Sequence, residues 1–207
     1  MKPILSLLVI SVALVGCKNP GAEVTPATVE AAPEAEAKAA PSATVATLPI
    51  NPSNSKVEFI GAKVTASHPG GFTDFSGKLE LAAPVEQCQI QSTIETASLF
   101  AAKEKLTTHR KSADFFDGEK YPNAEVRSTE IQKEREGHVI TGDLTLHGVT
   151  KRSSFPATVA VSDAQVQASS EFSINRKDFG INYPGMQDDL IRDLVVIKLS
   201  LALPRQG

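Results

Sequence analysis

Four histidines and one pair of adjacent aspartates are the residues whose types could support acid–base or metal chemistry. The histidines at 68, 109, 138 and 147 are scattered, and none is followed by a second histidine at the spacing of a helical metal site. The chain also lacks a Cys-x-x-Cys pair, a Gly-x-Ser-x-Gly nucleophile turn and a glycine-rich phosphate loop. We therefore predict no catalytic residue, no resident metal and no cofactor, and we expect Asp188-Asp189 to lie in a solvated loop.

Cys17 ends an N-terminal stretch that is typical of a bacterial lipoprotein signal. Lys2 precedes a short apolar run over 4–15, too short for a comfortable transmembrane helix, and Leu-Val-Gly-Cys at 14–17 resembles a lipobox. We expect residues 1–17 to be a signal peptide ending at a lipidated Cys17, whose acyl chains would anchor the protein to a membrane. An ordinary secretory signal with an incidental cysteine is the alternative. Lys18 replaces the Asp that commonly marks inner-membrane retention, so we predict a periplasm-facing protein of the outer membrane.

The composition of the chain excludes some partners. The net charge is −3, and a mildly acidic protein is a poor candidate for nucleic-acid binding, which depends on basic surface. There is no Trp, and most of the aromatic residues are Phe, which suggests dry apolar surface. Cys88 would be the single thiol of the folded part. We favour a small buried hydrophobe there over a reactive thiol, because no basic cluster adjoins it.

Residues 18–50 differ in composition from the rest of the chain. They are rich in Ala, Pro and Glu, and prolines at 20, 26, 33, 41 and 49 recur too often for a helix to propagate. Few of these residues could form a core, so we predict a disordered tether over 18–50 and a single folded domain over 51–207.

Alternation of apolar and polar residues predicts strands through most of 51–207. Leu144 and Leu146 share one face of a strand, Thr145 and His147 share the other, and Gly148 can adopt the positive φ of a tight turn. Eight such strands are predicted at 56–64, 72–81, 87–96, 123–131, 139–147, 149–161, 166–174 and 194–203. The segment 98–118 breaks the pattern with a helix that Ser98 could cap, while residues 68–71 should form a loop. The fold class is therefore all-β, an up-and-down antiparallel barrel with one helical segment between strands 3 and 4.

The predicted inner faces of these strands are strongly apolar. Eight strands enclose room for packed side chains or for one ligand, and the sequence leaves a solid core and a lined cavity both open. The inward residues proposed to line such a cavity are Phe59, Phe75, Ile90, Ile94, Leu144, Leu146, Phe155, Phe172 and Ile174.

Six segments, taken in order, resemble the YceI-like family of polyisoprenoid-binding, lipocalin-like proteins. They begin at 71–77, 112–117 and 120–122 and continue at 142–151, 174–181 and 188–191, within a match over 55–203. The resemblance implies an extended eight-stranded barrel whose apolar tunnel holds a polyprenyl chain, with no reaction catalysed. One departure is visible, because the family usually has an apolar residue, most often Leu, where this chain has Arg110.

The helical segment is expected to cover one end of the barrel. Leu106, Phe115 and Phe116 could pack over the opening and extend the apolar site, while nearby cations meet the ligand head. Predicted headgroup contacts are His109, Arg110, His147 and Arg176. For His109 a solvated helix face is the alternative, and for His147 a role in stabilising the turn is favoured.

The function predicted on these grounds is binding, and carriage or storage, of a long-chain isoprenoid lipid of the polyprenyl phosphate or quinone type. The main alternative is a stress-response or interaction module with a filled barrel, which would expose an apolar patch. An undetected enzyme would need a polar cluster inside the cavity. We also expect pairing into a homodimer, as relatives often pair.

Overall fold

Strands dominate the part of the chain that the computed structural model describes, residues 19–33 and 44–205. The helix α1 covers Glu104–Lys111, and 3-10 turns cover Pro20–Ala22, Val85–Gln87, Thr96–Ser98 and Arg176–Phe179. The strands are β1 (Thr28–Ala31), β2 (Thr44–Ile50), β3 (Ser55–Ala62), β4 (Ser67–Phe72), β5 (Phe75–Ala82), β6 (Gln89–Glu95), β7 (Leu99–Ala101), β8 (Asn123–Lys133), β9 (His138–Leu146), β10 (Val149–Val161), β11 (Gln165–Asn175), β12 (Gly185–Met186), β13 (Asp189–Leu190) and β14 (Leu194–Pro204).

One antiparallel sheet contains twelve of the described strands. Its order is β2-β5-β6-β8-β9-β10-β11-β14-β3-β4-β7, with β1 attached to β10, while β12 and β13 form a separate small hairpin. Consecutive strands such as β8, β9 and β10 lie side by side, because short connections join antiparallel neighbours.

Several of these strands are segments of longer, bent strands. The turn 51–54 joins β2 to β3, residues 73–74 join β4 to β5, and the turn Thr96–Ser98 joins β6 to β7. Counted in this way, the sheet from residue 44 onward has eight long strands, and α1 lies between the third and the fourth. Since β2 pairs with β5 while its continuation β3 pairs with β14, the sheet curls back on itself. The predicted all-β, lipocalin-like antiparallel fold is confirmed, with more and shorter strands than expected.

The turn between β9 and β10 has the predicted position. Its two residues, His147 and Gly148, both have positive φ, 51° and 73°. This conformation matches the twist of a two-residue hairpin. A side chain at Gly148 would also collide with Tyr121, since an added Cβ would lie 2.4 Å from the ring carbon Cε1.

Two local predictions are wrong. Residues 68–71 belong to strand β4, because the backbone there pairs with β3 on one side and β7 on the other. Ser98 does not cap the helix, since α1 begins after Lys103 and Ser98 lies in a 3-10 turn. Its hydroxyl donates instead to the carbonyls of Glu95 and Asp74, 2.7 and 3.2 Å away, and stabilises the bend between β6 and β7.

The segment predicted as a disordered tether differs from that prediction where it is described. Residues 28–31 form β1 beside β10, and residues 44–50 form β2 beside β5. Leu48 and Ile50 are buried, so β2 contributes to the core despite Pro49. Proline is tolerated here because β2 pairs with β5 alone among the described strands. Residues 34–43 and the predicted signal peptide lie outside the described residues.

The core lies on the inner face of the curled sheet, the face to which alternate residues of each strand point. Cross-strand pairs such as Phe75 with Ile94 and Phe172 with Ile197 place apolar side chains opposite one another on that face. Cys88 is buried, and its thiol lies 3.4 Å from the Ala82 carbonyl, as expected for a structural cysteine.

Candidate functional site

The strand residues predicted to line a cavity share the inner face of the sheet. Strand register places them opposite one another or opposite other core residues, as in Phe75 with Ile94 and Phe155 with Ile140. Phe155 and Phe172 stack with ring centroids 4.2 Å apart and planes 8° from parallel. Those that are buried are Phe59, Phe75, Ile94, Leu146, Phe172 and Ile174, while Ile90, Leu144 and Phe155 are half-buried.

A strip of the inner face remains partly exposed. It consists of apolar side chains that alternate with outward residues on β3, β9, β10 and β14 and pack against the buried core. Its members are Val57, Leu144, Val149, Phe155, Val195, Ile197, Leu199 and Leu201. Inward side chains of a filled barrel would be buried throughout, so this accessible strip is where an apolar ligand could be accommodated.

The helix α1 and the segment after it supply aromatic contacts at one end of the barrel. Phe116 meets Phe72 of β4 edge-on, with ring centroids 5.7 Å apart, and Phe72 meets Phe59 of β3 at 5.9 Å. Phe115 packs 5.3 Å from Tyr183. Leu106 is half-buried on α1. Phe116 thus joins the segment after α1 to strand β4, and Phe115 joins it to Tyr183.

Arg110 reaches from α1 over the inner face of β3. Its guanidinium carbon lies 5.0 Å from the centre of the Phe59 ring, and Nη2 donates a long hydrogen bond of 3.4 Å to the His68 carbonyl. Gly61 makes room for this side chain, because a Cβ there would lie 3.2 Å from Nη2. Strand register places Gly61 opposite His68, so the guanidinium lies between β3 and β4.

Two buried nitrogens lie at this point, Nη1 of Arg110 and Nε2 of His68. Neither has a hydrogen-bond partner among the described residues. Burial lowers the pKa of the Arg110 guanidinium from its ordinary value. Burial also lowers the pKa of His68, and the positive charges of Arg110, Lys63 and Lys103 lower it further. The site therefore pairs an arginine with a histidine held in its neutral form.

Arg176, also predicted to contact a headgroup, is 4% exposed and surrounded by acceptors. Nε donates to the Arg192 carbonyl at 3.2 Å, Nη1 to the Ile181 carbonyl at 2.6 Å and Nη2 to Asp193 Oδ1 at 3.3 Å. Burial lowers the pKa of this guanidinium while the Asp193 carboxylate raises it. The geometry gives Arg176 a structural role, joining the turn Arg176–Phe179 to the segment before β14.

The turn that carries Arg176 is stabilised locally. The Asn175 side chain accepts a hydrogen bond from the Lys177 amide at 3.0 Å, as an N-cap does. Gly180 ends the turn with φ of 75°, a left-handed conformation that favours glycine. Phe179 between them is fully buried.

The two predicted headgroup histidines take part in local packing. His109 Nε2 lies 2.8 Å from Asp114 Oδ2, and its ring meets Phe115 and Tyr183 at 5.0 and 5.1 Å. His147 packs against the Tyr121 ring with centroids 4.6 Å apart. His109, Arg110, His147 and Arg176 thus belong to one end of the barrel, but Arg110 alone of the four has a guanidinium or imidazole nitrogen that is buried and unpartnered among the described residues.

Sequence reasoning missed His68, Gly61, Phe72 and Tyr183. His68 was placed in a loop because Pro-Gly-Gly follows it, whereas pairing with β3 and β7 holds this segment as a strand. The spacing of Phe59 and Gly61 on β3 indicated that a residue without a side chain lies on the inner face. It did not indicate that Arg110, which is far away in sequence, lies over Gly61.

No group of three or more His, Cys, Asp or Glu residues within 19–33 and 44–205 is placed to hold a metal ion. Asp189 forms an ion pair with Lys63 and accepts a hydrogen bond of 2.9 Å from the Thr65 hydroxyl. Lys63 lowers the pKa of this carboxyl from its ordinary value. Within the same residues, no helix has the length and apolar character needed to span a membrane.

A sequence profile of the YceI-like domain matches residues 48–203. A UPF0312 protein of Photorhabdus laumondii is 45% identical over 84 residues, which are 40% of this chain and 43% of that protein. A UPF0312 protein of Pseudomonas putida strain W619 is 37% identical over 124 residues, 56% of this chain and 65% of the relative. The alignments thus span 43% and 65% of the length of these two relatives.

Solved structures share the fold. Burkholderia cenocepacia BcnA superposes with a TM-score of 0.65 at 27% identity, covering 72% of this chain and 95% of BcnA. A polyisoprenoid binding domain from Saccharophagus degradans, implicated in plant cell wall breakdown, has a TM-score of 0.62 at 16% identity and covers 77% and 98%. The Campylobacter jejuni YCEI protein has a TM-score of 0.55 at 22% identity, covering 67% and 85%.

Proposed function

This chain belongs to the YceI-like family, and we propose on that premise that it binds a long-chain isoprenoid lipid along the inner face of its barrel. The structural neighbour from Saccharophagus degradans is a polyisoprenoid binding domain, which supports this ligand class. We further propose that the protein is a binding protein and not an enzyme, since the described inner face is lined mainly by hydrocarbon side chains.

The observation that carries the proposal is the partly exposed apolar strip of the inner face. Leu144, Phe155, Ile197 and Leu199 point inward yet remain accessible. An isoprenoid tail needs walls of this kind and little else, because each Å² of apolar surface removed from water contributes about 25 cal/mol. A tail lying against the strip would bury these side chains and its own methyl groups together.

The physiological role we propose is carriage or storage of the lipid at a membrane surface. A lipidated Cys17 would anchor the chain, and the context of Lys18 favours the periplasmic side of the outer membrane. The anchor then keeps the barrel beside the bilayer that supplies its ligand.

Organic extraction and native mass spectrometry of the protein purified from a bacterial host test the ligand proposal. A co-purifying isoprenoid is expected. Leu199→Gln, on the accessible strip, should lose most of it, while Ser200→Gln, on the outer face of the same strand, should retain it. Protein that carries no lipid and takes up none from added isoprenoid vesicles would contradict the proposal.

The anchor has its own test. Cys17→Ser should release the protein from the membrane fraction into the soluble periplasmic fraction, with the lipid content of the barrel unchanged. If Cys17→Ser stays with the membranes, the lipobox interpretation is wrong, whatever the barrel binds.

An interaction module remains the second candidate, since one exposed apolar patch supports it. Met186 and Leu190 of the β12–β13 hairpin are 69% and 50% exposed, and Val64, whose amide donates to the Leu190 carbonyl, is 41% exposed. Such a patch could also form the contact of the predicted homodimer. Light scattering of the wild type and of Met186→Glu distinguishes a dimer that uses this hairpin from a monomer.

A further inference from the structure

We infer that Arg110 and His68 form the headgroup site of this chain, and that the site selects an isoprenoid with an anionic oxygen head over a neutral one. The inference rests on the proposed function and narrows it, because the sequence left polyprenyl phosphates and neutral quinones equally open.

The guanidinium of Arg110 is incompletely satisfied. It lies against the Phe59 ring, its one hydrogen bond to the His68 carbonyl is 3.4 Å long, and Nη1 has no partner among the described residues. It also forms no ion pair with any of those residues, although Lys63 nearby is paired with Asp189. A half-buried cation without a counter-ion has lost part of its hydration without compensation, and a bound anion would offset that cost.

His68 supplies a second contact in the same place. Its Nε2 is buried and unpartnered among the described residues, and β4 holds the residue opposite Gly61, where the guanidinium lies. Burial and Arg110 lower the pKa of this ring and so favour its neutral form, which donates from Nε2 in one of its tautomers. Arginine and a neutral donor together suit a phosphate or carboxylate oxygen better than a quinone carbonyl.

The path from the tail strip to this site is lined by rings. Phe59 lies under the guanidinium, Phe72 lies beside Phe59, and Phe116 closes on Phe72 from the helical segment. A tail bound on the inner face could therefore follow these rings and place its head at Arg110.

Affinities for octaprenyl phosphate and octaprenol, two ligands that differ in the head alone, test this inference. The wild type should prefer the phosphate. Arg110→Leu, which removes the cation and keeps an apolar stem, should weaken phosphate binding about 10- to 100-fold, the range of a lost charged hydrogen bond, and leave octaprenol binding unchanged. His68→Gln should have a smaller effect in the same direction, and Lys105→Leu, an exposed cation on the same helix, should have none.

The outcomes separate the two proposals. Equal weakening of both ligands by Arg110→Leu, or equal affinity of the wild type for both, would overturn the headgroup inference while leaving tail binding intact. Failure of the wild type to bind either ligand would overturn the proposed function itself.

A separate feature is the seam between β10 and β11. These strands pair through 158–161 and 166–169, then diverge, and residues 25–31 fill the gap. β1 pairs antiparallel with 151–154 of β10, while the Ala27 amide donates to the Ser173 carbonyl at 2.8 Å and the Ser173 amide to the Thr25 carbonyl at 3.1 Å. Phe155 and Phe172 stack inside the sheet beside the gap.

We propose that residues 25–31 are a displaceable strand that closes a lateral entrance for the lipid tail. The strand is short, three of the four residues of β1 are exposed, and it is bound by fewer backbone contacts than any long strand of the sheet. Val29 and Ala27 reach the core from it, and half-exposed Val149 and Phe155 on β10 lie next to it. Residues 25–31 follow Cys17 closely in sequence, so a lipid anchor on Cys17 would hold this seam near the membrane.

A reversible lock tests the entrance. Val29→Cys with Ser153→Cys joins two register partners across the seam, and Thr141→Cys with Ser154→Cys joins β9 to β10 as a matched control. Uptake of octaprenol from vesicles should slow at least tenfold in the oxidised seam variant and recover on reduction, with the control unaffected. Equal uptake rates in the oxidised and reduced seam variant would overturn this second proposal, whereas absence of uptake by the wild type would again concern the proposed function.

Discussion

Arg110 and Arg176 are guanidinium groups held at the same end of the barrel, yet their surroundings differ. The segment with Arg176 connects to the end of β3, since Arg192, whose carbonyl accepts from Arg176, donates its own amide to Ala62 at 2.8 Å. The Arg110 guanidinium, which extends from α1, lies over Gly61, the residue next to Ala62 on the same strand. Each of the three side-chain nitrogens of Arg176 has an acceptor among the backbone carbonyls and Asp193, while Arg110 lies against a ring with one nitrogen unpartnered among the described residues.

This difference separates a structural arginine from one available to a ligand. A buried guanidinium whose donors all meet protein acceptors stabilises the fold and offers a ligand nothing. One whose donors are partly unmet reduces stability in the free protein and regains it on binding. The sequence shows one arginine in the predicted helical segment and the other just after a predicted strand, and neither position reveals how many of its donors have acceptors.

The largest effect is expected beside Arg176. Phe179→Ala removes a fully buried ring from the turn, and the cavity left behind should lower the free energy of unfolding by about 4 kcal/mol. Chemical denaturation measures this loss. Phe115→Ala, on the Arg110 side and half-buried, is the matched control and should cost clearly less; equal losses would remove the distinction between the two regions.

Arg176→Met should lower the free energy of unfolding by about 3 kcal/mol, because the carbonyls of Ile181, Ile191 and Arg192 lose a buried donor. Thermal and urea unfolding give the value. Retention of full stability would mean that Arg176 is not structural, and its headgroup role would then return to consideration.

Arg110→Met should not lower the free energy of unfolding of the lipid-free protein, in contrast to Arg176→Met. Removing a half-buried cation whose Nη1 is unpartnered among the described residues, with its contact to Phe59 partly replaced by the thioether, should leave stability unchanged or raise it by up to about 1 kcal/mol. The same denaturation series compares it with Arg176→Met. A loss as large as that of Arg176→Met would make the two arginines equivalent.

The smallest effect is a pH dependence that arises from His68. Its pKa in the folded protein lies below the ordinary 6.5, so below that pH the unfolded chain binds a proton that the folded chain does not, and stability falls as pH is lowered. His68→Gln should reduce this slope between pH 7 and 5, measured as the difference from wild type. An unchanged slope would show that His68 is not held neutral beside Arg110.

Much of the fold could be predicted because its signals are local. Alternation along 139–146 and the glycine after His147 predicted a hairpin, and register in β8 to β11 follows from such short connections. The six ordered segments predicted the family, which the profile match over 48–203 supports. The bends inside the long strands were missed, because a 3-10 turn such as Thr96–Ser98 hardly disturbs the alternation around it.

Other features depend on contacts between residues far apart in sequence. Residues 25–31 were predicted to be part of a linker because they lie in the Ala-, Pro- and Glu-rich stretch 18–50, yet β10 and β11 diverge and leave backbone donors and acceptors that this segment can satisfy. His68 was predicted in a loop because Pro-Gly-Gly follows it. In the structure its strand β4 pairs with β3 on one side and with β7 on the other.

By itself the sequence determined which residues alternate, where the chain turns and that the inner face would be apolar, since side-chain direction in a strand follows from spacing alone. Only the tertiary structure decided which of two arginines has its donors satisfied and what closes the seam of the barrel. Those outcomes depend on which distant backbone groups lie within hydrogen-bond reach once the sheet has curled, and no local pattern encodes that distance.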